Sequence, residues 1–279
     1  MVAAFSLTQR WALIAVPLAL TIVQPAMADQ ANPKFACLIE PRMELKLGTA
    51  VPGLISQVLV DRGDFVKKGE VVARLESGVE AATVALANAR AADDSAVQSA
   101  QAKLNFQLRK AARAAALRRN DNIALSAADE AETGAKVAEA EFHEAQMNLT
   151  LAKLEVQRAT ETLNQRTIRS PIDGVVTQRT LGPGEYAYDQ SHLLTIAQID
   201  PLKVEAFVPL SEFGRVHPGM SAEVYPEKPI GGKYDATVTV VDQVFDAASA
   251  TIGIRLDLPN PKRALPAGLR CQVQFLGVS

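Results

Sequence analysis

The sequence predicts an α+β protein in which a long antiparallel helical hairpin interrupts a repeated β unit and an all-β module follows. Three observations carry this expectation. A proline-free stretch runs from Gly78 to about Arg166, matching β segments flank it, and short strand-like runs fill the tail between Pro- and Gly-rich turns. The composition suits packed cores: 279 residues, 48% hydrophobic and 22% charged, with 29 basic side chains against 31 acidic ones. The formal net charge of −2 argues against nucleic acid, which needs a clustered basic face. His143, His192, His217, Cys37 and Cys271 share no ligand spacing, so no zinc, haem or iron–sulfur motif can be written. No nucleophile, acid–base pair or phosphate loop can be assembled either, and a non-enzyme without catalytic, cofactor or metal residues is expected.

Residues 1–28 read as a cleaved secretory signal peptide. Arg10 precedes an apolar run from Trp11 to Val23, and a small-residue site ends at Ala28. Pro17 interrupts a run too short for a membrane span, which needs about 20 apolar residues. The expected mature protein is exported and has lost its only tryptophan.

Gly53–Leu75 and Gly174–Ile196 align without a gap at an offset of 121 residues. Gly53 meets Gly174, Ile55 meets Val176, Gly63 meets Gly184, Phe65 meets Tyr186 and Leu75 meets Ile196. Each copy carries β-branched runs punctuated by Gly-acid turns, whose glycines suggest positive φ or close backbone approach. Two such copies make one small sandwich across a pseudo-twofold. The expected segments are a linker and strand over 29–48, then half-units over 49–77 and 167–199.

Between them, residues 78–166 are rich in strong helix formers. The second arm has a seam of alternating three- and four-residue steps: Ala128, Ala131, Ala135, Ala138, Phe142, Ala145, Leu149, Ala152, Val156, Ala159 and Leu163. The first arm is looser, with Leu86, Val97, Leu104, Leu108, Ala111 and Ala115 suggesting its seam. Asn120-Asp121-Asn122 marks the turn, and Ser126 with Asp129 resembles a capping box. Two arms of about 40 residues would each be about 60 Å long, so the hairpin should project from the remainder.

From Leu202 onward, strand-like runs alternate with turns that include Gly219 and Gly268, and 200–279 reads as an all-β module. Cys37 lies before the first half-unit and Cys271 in the last strand-like run, so a bond between them would tie both chain ends to one module. An oxidising compartment permits a disulfide between them, and two separate buried thiols are the alternative.

Gly53-x-Ile55-x-x-Val58-x-Val60-x-x-Gly63-Asp64, continuing through Lys68-Gly69 to Leu75, resembles the first half of a biotinyl/lipoyl domain. Arg169-Ser170-Pro171-x-Asp173-Gly174-x-Val176 with Pro183-Gly184-Glu185 resembles the second half. A lipoyl-like β-sandwich split by a coiled-coil hairpin is similar to the periplasmic adaptor subunits, or membrane fusion proteins, of tripartite efflux pumps and HlyD-type secretion systems. His217-Pro218-Gly219-Met220 and the segment from Pro259 to Leu269 resemble turns of the adaptor β-barrel, leaving little room for a membrane-proximal domain.

The resemblance implies a non-catalytic bridge. An inner-membrane transporter of RND or ABC type would sit at one end, a TolC-like outer-membrane channel at the other, and several copies would form a ring. It further implies that Arg113, Leu117 and Ser126 meet the channel, with Arg118 and Asn122 sharing the contact. The interval from Leu117 to Ser126 is about two residues longer than the family pattern. A lipoyl-type acylated lysine is not implied, because the hairpin occupies its position. The alternative function is a soluble envelope ligand or metal carrier on the same fold.

Overall fold

The computed structural model describes Ala4 and residues 33–277. Apart from Ala4, the expected leader lies outside the described residues. The elements run β1 (Lys34–Gly48), β2 (Gly53–Val58), β3 (Phe65–Val66), β4 (Val71–Leu75), α1 (Gly78–Ala92), α2 (Ser95–Arg119), α3 (Leu125–Asn164), β5 (Thr167–Arg169), β6 (Gly174–Arg179), β7 (Tyr186–Ala187) and β8 (His192–Pro209). After β8 come β9 (Ser221–Pro226), β10 (Tyr234–Val241), β11 (Thr251–Leu258) and β12 (Leu269–Phe275). The α+β architecture read from the sequence is the one found.

The repeat governs the sandwich. Strands β2, β3 and β4 recur as β6, β7 and β8 at the offset of 121 residues. Their buried positions coincide: Ile55 with Val176, Val66 with Ala187, Val72 with Leu193, Ala73 with Leu194 and Leu75 with Ile196. The halves also exchange equivalent hydrogen bonds. Gly63 N–H donates to Val176 O at 2.8 Å, and Gly184 N–H donates to Ile55 O at 2.8 Å. Each half therefore completes the other, as the pairings β2–β7 and β3–β6 also show.

The unit is longer than the alignment suggested. β5 pairs β4 through Val71 and Arg169, and the end of β1 pairs β8 through Gly48 and His192, again 121 residues apart. Lys46-Leu47-Gly48 and Thr167-Ile168-Arg169 share only a central apolar residue, so the alignment passed over them. The expected start of the first half at residue 49 thus cuts off a strand that belongs to it.

The barrel closes because β1 pairs on both sides. The order β1-β12-β9-β10-β11-β8 returns to β1, with every pairing antiparallel. Closure removes the unpaired edges that an open sheet would present. Ile39, Leu202, Val204, Val224, Ile254, Leu256 and Val273 point into one continuous apolar core. The boundary expected at 199/200 falls inside β8, which serves the sandwich with its first residues and the barrel with its last. Asn260, buried at 4% exposure, pins the junction by donating to Ile199 O and Leu265 O. Its own N–H donates to Asp200 Oδ1.

Cys37 and Cys271 are register partners on β1 and β12, joined by a disulfide with Cα atoms 4.9 Å apart. Gly63, Gly184, Gly219 and Gly268 hold positive φ of 95°, 86°, 88° and 89° in turns. Gly53 and Gly174 correct the expectation of turns, since each opens a strand where the backbone lies against a neighbour.

The hairpin's second arm is one helix of 40 residues, and every position of its predicted seam is buried or half-buried. Ala131, Ala135, Ala138 and Ala159 are the tightest points, which lets the two arms approach closely. The first arm is not continuous: it breaks at Asp93-Asp94 into α1 and α2. Asp93 accepts the Ser95 N–H at 3.0 Å, the competition with helical bonding that short polar side chains offer. The break resets the helical phase. Ala87, Leu104 and Gln107 face α3, while Leu86, Leu108 and Ala115 are exposed, correcting part of the predicted first-arm seam.

Candidate interaction surface at the hairpin tip

The tip is built where α2 runs out of helix. Asn122 N–H donates to Leu117 O at 3.0 Å and Asp121 N–H to Arg118 O at 3.0 Å, with Asp121 at φ 54°. Left-handed backbone at an Asp is tolerated because its short side chain bonds locally. Here the Asp121 carboxylate accepts from Arg118 Nη1 at 2.9 Å. The turn is therefore closed by its own polar groups with Ile123 half-buried, while Leu117 and Leu125 on the flanking helices are left exposed.

Arg113, Leu117, Arg118, Asn122 and Ser126 are all exposed, on the last turns of α2, the turn itself and the first turn of α3. The capping-box reading of Ser126 needs correction. The residue before α3 is Ala124, no side chain caps the helix, and Ser126 lies within the first turn. Its hydroxyl is thereby released from a structural duty and faces solvent. Leu125 is the tip residue that the sequence reading passed over, exposed at 60% beside Leu117 at 45%. A step of four back along the seam from Ala128 reaches Ala124, which leaves Leu125 off the inward face. That was the available signal.

At the other end, Arg166 anchors the hairpin to the sandwich. Its guanidinium donates to Glu80 Oε1 through Nε at 3.0 Å and Nη2 at 2.6 Å, and through Nη1 to Pro52 O at 3.0 Å. Glu80 lies in the first turn of α1, where its own backbone N–H and then Arg166 hold its carboxyl below the usual 4.5. Arg166 thus ties both hairpin strands to the entry of β2. Arg166→Ala should cost about 1–3 kcal/mol, the scale of hydrogen bonds to a charged group, and raise amide exchange in α1 selectively. The Glu80 contribution is complete above pH 4.5 and is lost as pH falls through the lowered folded value. Equal exchange in α1 and α2 of the variant would refute a local anchor.

Across the rod, Lys103 Nζ and Glu141 Oε2 form an ion pair between the arms at 2.6 Å. Among the described residues no cluster of His, Cys, Asp or Glu could hold a metal ion, and no helix is long and apolar enough to cross a membrane.

Comparison with known proteins agrees with this anatomy. The family model of the CzcB-like barrel-sandwich hybrid domain matches residues 45–198, more than half of the chain, and that of the CusB-like β-barrel domain matches 202–279. Nodulation protein NolF of Rhizobium meliloti is 26% identical over 250 residues, covering 89% of this chain and 64% of that protein. Macrolide export protein MacA of Yersinia pestis is 25% identical over 240 residues, covering 83% of this chain and 64% of that protein. The chain thus spans less than two thirds of the length of these relatives. The crystal structure of MacA from Actinobacillus actinomycetemcomitans superposes with a TM-score of 0.72 at 21% identity, covering 88% of this chain and 78% of that one. Split sandwich, inserted hairpin, closed barrel and both domain matches coincide, and the chain belongs to the membrane fusion protein family of periplasmic adaptor subunits.

Proposed function

We propose that this chain is a non-catalytic periplasmic adaptor that bridges an inner-membrane transporter, of RND or ABC type, and a TolC-like outer-membrane channel. Copies of it surround the conduit as a ring. The observation that carries the reading is the tip: Leu117 and Leu125 stand exposed at the end of a rod whose 40-residue arm is about 60 Å long. Apolar side chains held outward by a self-satisfied turn, far from either core, serve a partner at that distance. Arg113, Arg118, Asn122 and Ser126 supply the polar rim of the contact. The sandwich and barrel form the base that meets the transporter. A soluble carrier on this fold gives no use to a rod with an apolar end.

The test is a photo-crosslinking residue placed at Leu117 or Asn122 of the full chain in living cells, with a barrel position at Ile230 for comparison. Tip capture of an outer-membrane channel and barrel capture of an inner-membrane transporter are expected, both identified by mass spectrometry. A tip that captures nothing, or only its own copies, would overturn the reading.

A further inference from the structure

The barrel ends, opposite the hairpin, in an apolar platform. Along β1 the chain passes from the far end of the barrel at Lys34, through its crossing into the sandwich near Pro41, to the hairpin base, where Leu47 and Gly48 lie beside Asn164 and Gln165. Two loops cover that far end, residues 210–220 after β8 and residues 242–250 between β10 and β11. They carry Leu210, Phe213, Val244 and Phe245, all exposed. Val244, at 84%, is the most exposed large apolar side chain among the described residues.

The two loops are joined. Phe213 and Phe245 pack edge to face with ring centroids 5.1 Å apart, and Leu210 N–H donates to Ala250 O at 3.1 Å. The longer loop also satisfies polar groups from within. Asp242 N–H donates to Gly253 O at 2.9 Å and Asp246 N–H to Thr251 O at 3.0 Å. The Asp246 carboxylate accepts from Ala248 N–H at 2.9 Å and from the Ser249 hydroxyl at 2.8 Å. These bonds lower the cost of moving the loop tips out of bulk water. Apolar tips that stand clear of the protein fit a medium that closes around them, and their position names the medium. Residues 1–32 join the barrel at this same end, through Pro33 and Lys34. Residues 24–32 separate Val23, the end of the apolar run of the expected leader, from Pro33, a reach of at most about 36 Å. A leader engaged in export therefore delivers the platform beside a bilayer.

We propose that Leu210, Phe213, Val244 and Phe245 dock the end of the barrel directly on lipid, in the periplasmic leaflet of the inner membrane. This rests on the adaptor reading for the direction in which the barrel end faces. The contact is apolar rather than electrostatic. The two loops carry Glu212 paired with Arg215 at 3.1 Å, and the acids Asp242 and Asp246, with no cluster of cations for anionic headgroups.

The test puts a single tryptophan at Val244 of the exported, processed chain, with Trp11→Phe so that any retained leader is silent. Ile230→Trp, on the loop after β9 at the sandwich end of the barrel, is the comparison. Vesicles of phosphatidylcholine alone, and of phosphatidylethanolamine with phosphatidylglycerol, are the probes. Val244→Trp emission should shift to the blue and become quenchable by brominated acyl chains with both vesicles, at low and at high salt. Ile230→Trp emission should not move. Val244→Asp with Phe245→Asp should lower the vesicle-bound fraction about tenfold, because two apolar side chains no longer leave water. Val244→Asp alone, on a side chain outside both cores, should give a smaller loss with an unchanged circular dichroism spectrum. No shift at Val244, an equal shift at Ile230, or binding that salt abolishes would each overturn the lipid contact. Channel capture at Leu117 without a vesicle shift sinks the lipid contact and leaves the adaptor reading. A vesicle shift without channel capture sinks the adaptor reading and leaves a barrel that binds lipid.

Discussion

Gly174→Ala should destabilise the sandwich by about 3 kcal/mol, whereas Gly53→Ala, the same change at the matching position of the repeat, should cost about 1 kcal/mol. A Cβ on Gly174 would stand 2.5 Å from Ala197 O, 3.0 Å from Ala197 C and 2.8 Å from Ile196 Cγ2, so a central strand would have to move. A Cβ on Gly53 would meet the tip of the Arg166 guanidinium at 2.6 Å and Leu75 Cδ1 at 3.4 Å. A guanidinium can swing away, at the expense of its bond to Pro52 O. The asymmetry has a topological cause. The counterpart of Ala197 in the first copy is Glu76, where β4 has ended and the chain turns toward α1, so no continuing strand crowds Gly53. β8 runs on into the barrel and keeps its carbonyl in place. Chemical denaturation followed by circular dichroism, with amide exchange read at β6, would measure the difference. Equal losses in the two variants would refute the account.

That asymmetry shows where sequence reasoning reached and where it stopped. The repeat was legible because burial and turn glycines must recur wherever two copies share one core, and Ile55, Val66 and Leu75 recur as Val176, Ala187 and Ile196. What one copy does differently leaves no periodic mark, so Gly53 and Gly174 looked alike. The second-arm seam was legible over eleven positions because one uninterrupted helix keeps its phase. In the first arm the Asp93-Asp94 break separates the phase of α1, where Leu86 is exposed and Ala87 buried, from that of α2, and within α2 the inward positions are Gln107 and Ala114, one residue before the expected Leu108 and Ala115. The tip residues were placed by resemblance, and their exposure follows from the turn. Leu125 was passed over although the seam, carried back one step from Ala128 to Ala124, leaves it off the inward face. The extra strand pairs of the sandwich, at Gly48 and Arg169, were missed because side chains there carry little of the pairing.

Removing the Cys37–Cys271 disulfide should lower the stability of the barrel by about 2–5 kcal/mol, the range for native disulfides that close long loops. The two cysteines are 234 residues apart in sequence, so the link constrains almost the whole described chain in its unfolded state. Both side chains lie in the barrel core, and Cys37→Ala with Cys271→Ala leaves small apolar groups there rather than buried polar ones. β1 is the one strand that joins β12 to β8, so its loosening opens the barrel along its length. The effect should then pass into the sandwich, because the end of β1 pairs with β8 there through Leu45, Leu47 and Gly48. Protein made in an oxidising compartment and protein made in a reducing one should differ in denaturation midpoint by the same amount as wild type and double variant. Reductant should erase the first difference and leave the variant unchanged. A wild-type midpoint indifferent to reductant, with free thiols titrating under denaturing conditions before any is added, would show that the two sulfurs stand apart and that hydrogen bonding alone holds β1 to β12.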